Sequence, residues 1–391
     1  MKMKNITEVL KKNTMVFVLI LVYLFFSAMT QGQMFSPLNF MALVSQNAYV
    51  YVLAIGMLIC MLTGGNIDLS CGSFVCFLGA IGGICMVIHG MSIGLSISVM
   101  LLVGIIYGAV LGFVIAYMNI PPWIATLAGF LAFRGLGTSL LSASSSTGSI
   151  APFPKAFLKI FSGKLFETPF NQLNIPCIVV GIVASIIIIA VNVTSRANRI
   201  KKGYEVGSAT GMIVKTVASV AVVMLFAYKL AMSGGIPTVL VWVTVIVLIY
   251  QFLTSNVVTG RYFYTVGGNA EATRLSGVNT KHIMFLAYLN MAILTVVSAC
   301  MIIARFQAAN STAGTNYEMD AISACVVGGV SAYGGSGTVF GMVIGATLIG
   351  VINLGMSLMG VDANWQKVIK GVVLLAAVVF EILNKKNKGK D

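Results

Sequence analysis

The stretch TGRYFYTVGGNAEATRLSGVNTKH, residues 259–282, is a polar, small-residue island between two long apolar runs. Its centre carries a compact helix signature. Asn269 can N-cap a short turn, Glu271 then sits at the positive end of that turn, and Arg274 falls one turn later. Gly277 can close the turn in a left-handed cap. Between apolar runs, such a segment is either an ordinary solvated loop or a short rigid helix presented to something outside a bilayer. The surrounding sequence decides between them.

The chain has 391 residues, 58% of them hydrophobic and only 9% charged, with mean hydropathy +0.98. Water-soluble domains carry roughly 25% charged residues, so the composition defines a polytopic membrane protein. A span needs about 20 apolar residues, and most of the chain divides into such runs. In lipid the backbone must satisfy its own hydrogen bonds, so the expected fold is all-α: a bundle of about 10–12 transmembrane helices. Candidate spans are 14–30, 38–62, 70–90, 91–117, 122–141, 175–195, 213–232, 236–256, 283–304, 321–335, 338–359 and 366–384. Basic residues precede the run 14–30 without a small-residue cleavage site, so it is read as a retained span.

Net positive charge can signal nucleic acid, but its placement here does not. Lys2, Lys4, Lys11 and Lys12, Arg196, Arg199, Lys201 and Lys202, Arg261, Arg274 and Lys281, and Lys385, Lys386, Lys388 and Lys390 all lie in short segments flanking spans. That is the positive-inside pattern, and it places both termini, 196–212 and 257–282 in the cytoplasm. One stretch resists this assignment: 142–174 falls outside, yet carries Lys155, Lys159 and Lys164.

Two apolar regions are interrupted. TGGNIDLSCGS breaks one at 63–73, and GGVSAYGGSGTVFG breaks another at 328–341; each is followed by a small-residue helix. Glycine-broken helices in two halves of a chain mark the pathway of internally repeated transporters, although plain hairpin glycines fit the same residues. Candidate path-lining residues are Asn66, Asp68 and Ser70 in the first break and Ser331, Ser336 and Thr338 in the second. Asp68 is the acid whose position is costly in lipid, so it either serves the path or caps a helix. Gly104, Gly108 and Gly112, and likewise Gly337, Gly341 and Gly345, recur every fourth residue and read as close-packing ladders.

Catalytic chemistry finds little support. There is no GxxxxGK[ST] phosphate loop, His89 and His282 are isolated at span edges, and no CxxC pair occurs among seven cysteines. No metal site, cofactor or catalytic residue is expected. Asp68 in the broken region and Arg134 deep in 122–141 are the intramembrane charges singled out, Arg134 pairing with a carboxylate or snorkelling to a surface; Glu318 and Asp320 are read as part of an extracellular stretch. Ion-driven carriers hold more intramembrane charge. A path built from Asn, Ser, Thr and Gly suits a neutral polyol, with energy supplied by another protein docked on 259–282. An ion-coupled secondary sugar carrier and a membrane-embedded glycosyltransferase are the competing readings.

Four ordered segments carry a family likeness: TGGNIDLSCGS (63–73), IPPWIATLAGFLAFRG (120–135), GRYFYTVGGNAEATRLSGV (260–278) and AISACVVGGVSAYGGSGTVFG (321–341). Together they resemble the inner-membrane permeases of ribose/xylose-type sugar importers of the ATP-binding-cassette superfamily, over roughly 38–141 and 257–384. The region 196–256 looks like an added pair of spans in one permease domain covering 1–391. That insertion and the ending GVDANWQKVIKGVVLLAAVVFEILNKK look most like a xylose or multiple-monosaccharide permease. Asn66 and Leu354 depart from the ribose-type pattern, at positions bearing on the polar lining. The resemblance implies a homodimer, a partner ATPase of two fused nucleotide-binding halves, and an extracytoplasmic sugar-binding protein. It also implies that Asn269, Glu271, Ala272, Arg274, Ser276 and Gly277 engage that ATPase.

Overall fold

The computed structural model describes residues 14–169, 172–204, 206 and 208–388, with the side chains at 380, 381 and 383–388 outside the description. The N-terminal lysines and the C-terminal lysine cluster named above therefore lie outside the described side chains. The chain is a polytopic bundle of α-helices. In order these are α1 (Thr14–Met29), α2 (Pro37–Leu62), α3 (Cys71–Gly83, continued by a π turn over Ile84–Ile88), α4 (Ile93–Ala116) and α5 (Pro122–Ser144). Then follow α6 (Lys155–Ser162), α7 (Ile175–Lys201), α8 (Ala209–Met232), α9 (Thr238–Asn256), α10 (Val258–Gly268) and α11 (Ala270–Leu275). The chain finishes with α12 (Thr280–Phe306), α13 (Tyr317–Val327), α14 (Val339–Leu358) and α15 (Ala363–Lys388).

Local chemistry sets most boundaries. Ser36 caps α2, its Oγ accepting from Asn39 N at 3.2 Å, with Pro37 in the first turn. Asn174 and Asn279 do the same for α7 and α12, accepting from Cys177 N at 3.2 Å and His282 N at 3.0 Å. Among the described residues, nine helices are long and apolar enough to cross a membrane: α2, α3 with its π turn, α4, α5, α7, α8, α9, α12 and α14. The 16-residue α1 is shorter and packs on α14.

The expected span 321–335 is not one continuous helix. Helix α13 ends at Val327 after 11 residues, and 328–338 continues without helix. Positive φ at Gly329, Gly334 and Gly335 releases the chain from helical geometry there.

Helices α2, α3 and α12 form the interior, whereas α5, α7, α8 and α9 leave most of their length exposed. The α4 glycine ladder explains its tight packing on α12. A Cβ at Gly104 would press on Val296, at Gly108 it would lie 3.0 Å from Leu289 Cα, and at Gly112 it would lie 2.8 Å from Phe285 O. All seven cysteines are buried. The helical hairpin α7–α8 packs mainly on itself and reaches the bundle through α8 on α2.

The two ends of the bundle differ. At one end, two-residue strands pair antiparallel: β1 (Ser149–Ile150) with β4 (Ala309–Asn310), and β2 (Lys164–Leu165) with β3 (Ile236–Pro237). Arg305 donates to Gln46 O at 3.0 Å and Lys229 to Phe35 O at 2.5 Å, tying the same end. At the opposite end, 63–65, 331–337 and the α10–α11 segment meet.

Candidate functional site

The two glycine-broken segments touch. Gly335 N–H donates to Leu62 O at 3.1 Å. A Cβ on Gly65 would overlap the carbonyl of Ala332, so backbone meets backbone with no side chain between them. Around this junction each break is stabilised by its own polar groups. Thr63 Oγ1 donates to Cys60 O at 2.7 Å and accepts from Asn66 Nδ2 at 3.3 Å. In the other segment Ser331 N donates to Ser336 O at 2.9 Å, and Ser331 Oγ accepts from Tyr333 N at 3.2 Å. Thr338 caps α14, accepting from Gly341 N at 2.9 Å.

Asp68 is only 2% exposed. Its Oδ1 accepts from Ser70 N at 2.8 Å and from Ser70 Oγ at 2.5 Å, and Tyr107 donates in turn to Ser70 Oγ at 2.6 Å. The carboxylate thus sits where the unpaired N–H groups and positive dipole end of α3 lie, which offsets part of its burial cost. Of the six residues singled out in the breaks, the side chains of Asn66, Asp68, Ser70, Ser331 and Thr338 all take part in local hydrogen bonds. Asn66 is half-buried, Ser331 is buried, and Ser336 and Thr338 are exposed.

At the strand-paired end the acids are not on the surface, contrary to their expected place in a solvated stretch. Glu318 and Asp320 are both buried in the first turn of α13. Asp320 accepts from Tyr49 OH and from Lys370 Nζ, each at 2.8 Å, which joins α13 to α2 and α15. Arg134 makes no ion pair among the described residues; its Nη1 donates instead to the carbonyls of Ser311 (3.2 Å) and Ala313 (3.0 Å), in the turn after β4. Beside Asp320 lies a polar hollow of ≈ 190 Å³ whose lining includes Gln46, Asn47, Tyr49, Arg305, Tyr317 and Asn353. Asn353 Oδ1 is buried there without a hydrogen-bond partner among the described residues.

Helix α11 forms as the sequence suggests. Asn269 Oδ1 accepts from Ala272 N at 2.9 Å, and Thr273 turns inward and bonds back to Asn269 O at 2.8 Å. Gly277 follows at φ +86°, donating to Arg274 O at 3.0 Å, while Ser276 Oγ donates to Ala272 O at 2.9 Å. Glu271 and Arg274 make a two-pronged pair, Nη2 to Oε1 at 2.5 Å and Nε to Oε2 at 3.1 Å. These bonds hold the Glu271 carboxyl below its usual range and raise the Arg274 guanidinium. Leu275 is 76% exposed beside them. Helix α10, which leads into α11, ends against both breaks: a Cβ on Gly267 would overlap Leu62 O and lie 2.7 Å from Gly335 N and 2.9 Å from Gly64 N.

Sequence reasoning placed the α11 residues but passed over Gly267 and Leu275. A glycine pair before Asn269 and one leucine in a polar segment were the available signals, and neither shows its neighbours. The Asp320–Lys370 pair was likewise hidden, because 50 residues separate its members.

A broken-helix bundle with an exposed charged helix joined to its breaks is the architecture of a membrane permease. Residues 39–378 match the family described as branched-chain amino acid transport system / permease component, and the chain belongs to that family. Among relatives, the xylose transport system permease protein of Haemophilus influenzae is 32% identical over 385 residues, covering 98% of this chain and 99% of that one. Its counterpart from Escherichia coli is 32% identical over 373 residues, covering 95% and 92%. The ribose import permease protein of Escherichia coli is 42% identical over 153 residues, covering 39% of this chain and 47% of its own. No solved structure matches the chain.

Proposed function

We propose that this chain is the membrane subunit of an ATP-binding-cassette importer that admits a neutral monosaccharide, xylose or a related pentose or hexose. It forms one transmembrane unit, with 196–256 as an added pair of spans. It sits in the plasma membrane with both termini and α10–α11 in the cytoplasm. Two copies enclose the path, a separate ATPase of two fused nucleotide-binding halves docks on α11, and an extracytoplasmic sugar-binding protein delivers at the strand-paired end.

The observation that carries this reading is the contact of Gly267 with Leu62, Gly64 and Gly335. A push on the exposed Glu271–Arg274 turn reaches both breaks through one short helix, with no flexible side chain to absorb it. The breaks supply Asn66, Asp68, Ser70, Ser331, Ser336 and Thr338 as polar groups along the path. At the far end, the hollow offers amide and hydroxyl groups of the kind that bind sugar hydroxyls. Alternating access then follows from rigid-body movement of one part against the other. The names of the xylose and ribose permease relatives support the sugar.

The test is uptake of radiolabelled xylose into proteoliposomes. Accumulation is expected only when the ATPase, ATP and the binding protein are all present. Uphill uptake by the chain alone under an ion gradient overturns the proposal in favour of a secondary carrier.

A further inference from the structure

Helix α6 lies across the strand-paired end with two faces. Phe157 and Phe161 are buried, in a row of rings from Phe153 (5.6 Å to Phe157) through Phe161 (5.1 Å) to Trp242 (5.5 Å). Trp242 Nε1 fixes that row by donating to Ile160 O at 3.1 Å. Lys155 and Lys159 are left exposed on α6. Lys164 donates to Ser233 O at 3.0 Å, which uses one of its three N–H donors. Glu167 is the single acid of 142–174, so the segment's positive charge is largely uncompensated.

Below these lysines the bundle has a gap. The α7–α8 hairpin meets the bundle chiefly at α2, and between it and α9 runs a cleft of ≈ 310 Å³ lined by Val180, Ala184, Phe226, Ala227, Leu240 and Val241. A second hollow of ≈ 540 Å³ is lined by Lys159, Lys164, Trp242 and Val241. Val241 lines both, so an apolar slot adjoins a cationic, tryptophan-edged mouth.

We propose that this groove is a binding site for one phospholipid with an anionic headgroup. The phosphate is held by Lys159 and Lys164, the glycerol region lies at Trp242, and an acyl chain fills the slot between α9 and the hairpin. The chemistry is that of a membrane-interface belt, with an aromatic ring at headgroup depth, basic groups above and hydrocarbon below. The site explains why a segment on the face opposite α11 keeps three lysines. It also explains what fills the space beside a hairpin that touches the bundle along one side. The groove is separate from the breaks and from α11, so it stands whether or not the transported solute is a sugar.

Native mass spectrometry of the full-length detergent-purified chain, titrated with phosphatidylglycerol and phosphatidylcholine, tests it. Wild type is expected to retain one phosphatidylglycerol more tightly than phosphatidylcholine. Lys159→Gln and Lys159→Gln/Lys164→Gln should weaken phosphatidylglycerol about fivefold per lysine, the attraction of one basic side chain to an anionic lipid surface, with phosphatidylcholine unchanged. Glutamine keeps an N–H donor for Ser233. Ala184→Phe, which fills the slot from α7, should weaken both lipids. Equal retention of the two lipids by wild type, or undiminished phosphatidylglycerol binding in variants whose melting temperature matches wild type, overturns the proposal.

Discussion

Gly267 abuts Leu62 so closely that a single added Cβ would overlap the Leu62 carbonyl oxygen. The neighbours are backbone atoms in fixed segments, so nothing can rotate away, and the junction must shift as a whole. Overpacking of this kind costs about 1–3 kcal/mol. Gly267→Ala should therefore lower the melting temperature and reduce ATP-driven uptake at least tenfold. Gly268→Ala, at a position with no atom within 4 Å of the added Cβ, should behave like wild type. Equal effects of the two variants in the same uptake assay would remove the junction from the coupling path.

The Glu271–Arg274 pair is exposed and contributes little to folding. Glu271→Arg should leave the melting temperature unchanged, since the Asn269 cap and the Gly277 turn persist. It should nonetheless abolish uptake and ATPase stimulation, because it places two cations on the face proposed to receive the ATPase. Leu275→Asp should do the same by removing the exposed apolar contact. Copurification of the ATPase with each variant measures whether docking itself is lost.

Much of this fold can be read directly from the chain, and particular residues show why. Ser36-Pro37, Asn174 with Pro176, and Asn279 announce helix starts through side-chain and proline chemistry that acts within four residues. The α11 turn is visible for the same reason: cap, ion pair and glycine stop all lie between 269 and 277. What escaped was set by distance along the chain. Glu318 and Asp320 look like loop acids until Tyr49 and Lys370 arrive from other helices, and Arg134 finds carbonyls, which no sequence pattern marks. Where 321–335 leaves the helix was hidden too, because apolar composition does not show which of its four glycines take positive φ: Gly329, Gly334 and Gly335 do, and Gly328 does not.

Asp320 and Lys370 form a largely buried pair, with the carboxylate 4% and the lysine 25% exposed. Removing one partner strands the other in a poor dielectric at a cost of about 3 kcal/mol. Lys370→Met should lower stability by that amount in thermal unfolding of the purified chain. Asp320→Asn/Lys370→Met, which removes both charges, should recover most of it. If the double variant is as unstable as the single, charge pairing is not what Lys370 provides.

Asp68 offers a cleaner choice between capping and contact with solute. Asp68→Ala leaves Ser70 N–H and Oγ–H without their acceptor and should cost about 1–3 kcal/mol. Asp68→Asn keeps an acceptor oxygen and should retain both stability and uptake. Loss of uptake in a stable Asp68→Asn variant would instead put the carboxylate in direct contact with sugar.

The bundle is laced at one extremity, where β1 binds β4 and β2 binds β3 across distant parts of the chain. At the other, three segments press glycine on backbone, and Gly335 N–H bonds to Leu62 O between the breaks. In the proposed importer, a displacement of α10 would therefore pass straight into the breaks, backbone on backbone, while the laced extremity holds its shape.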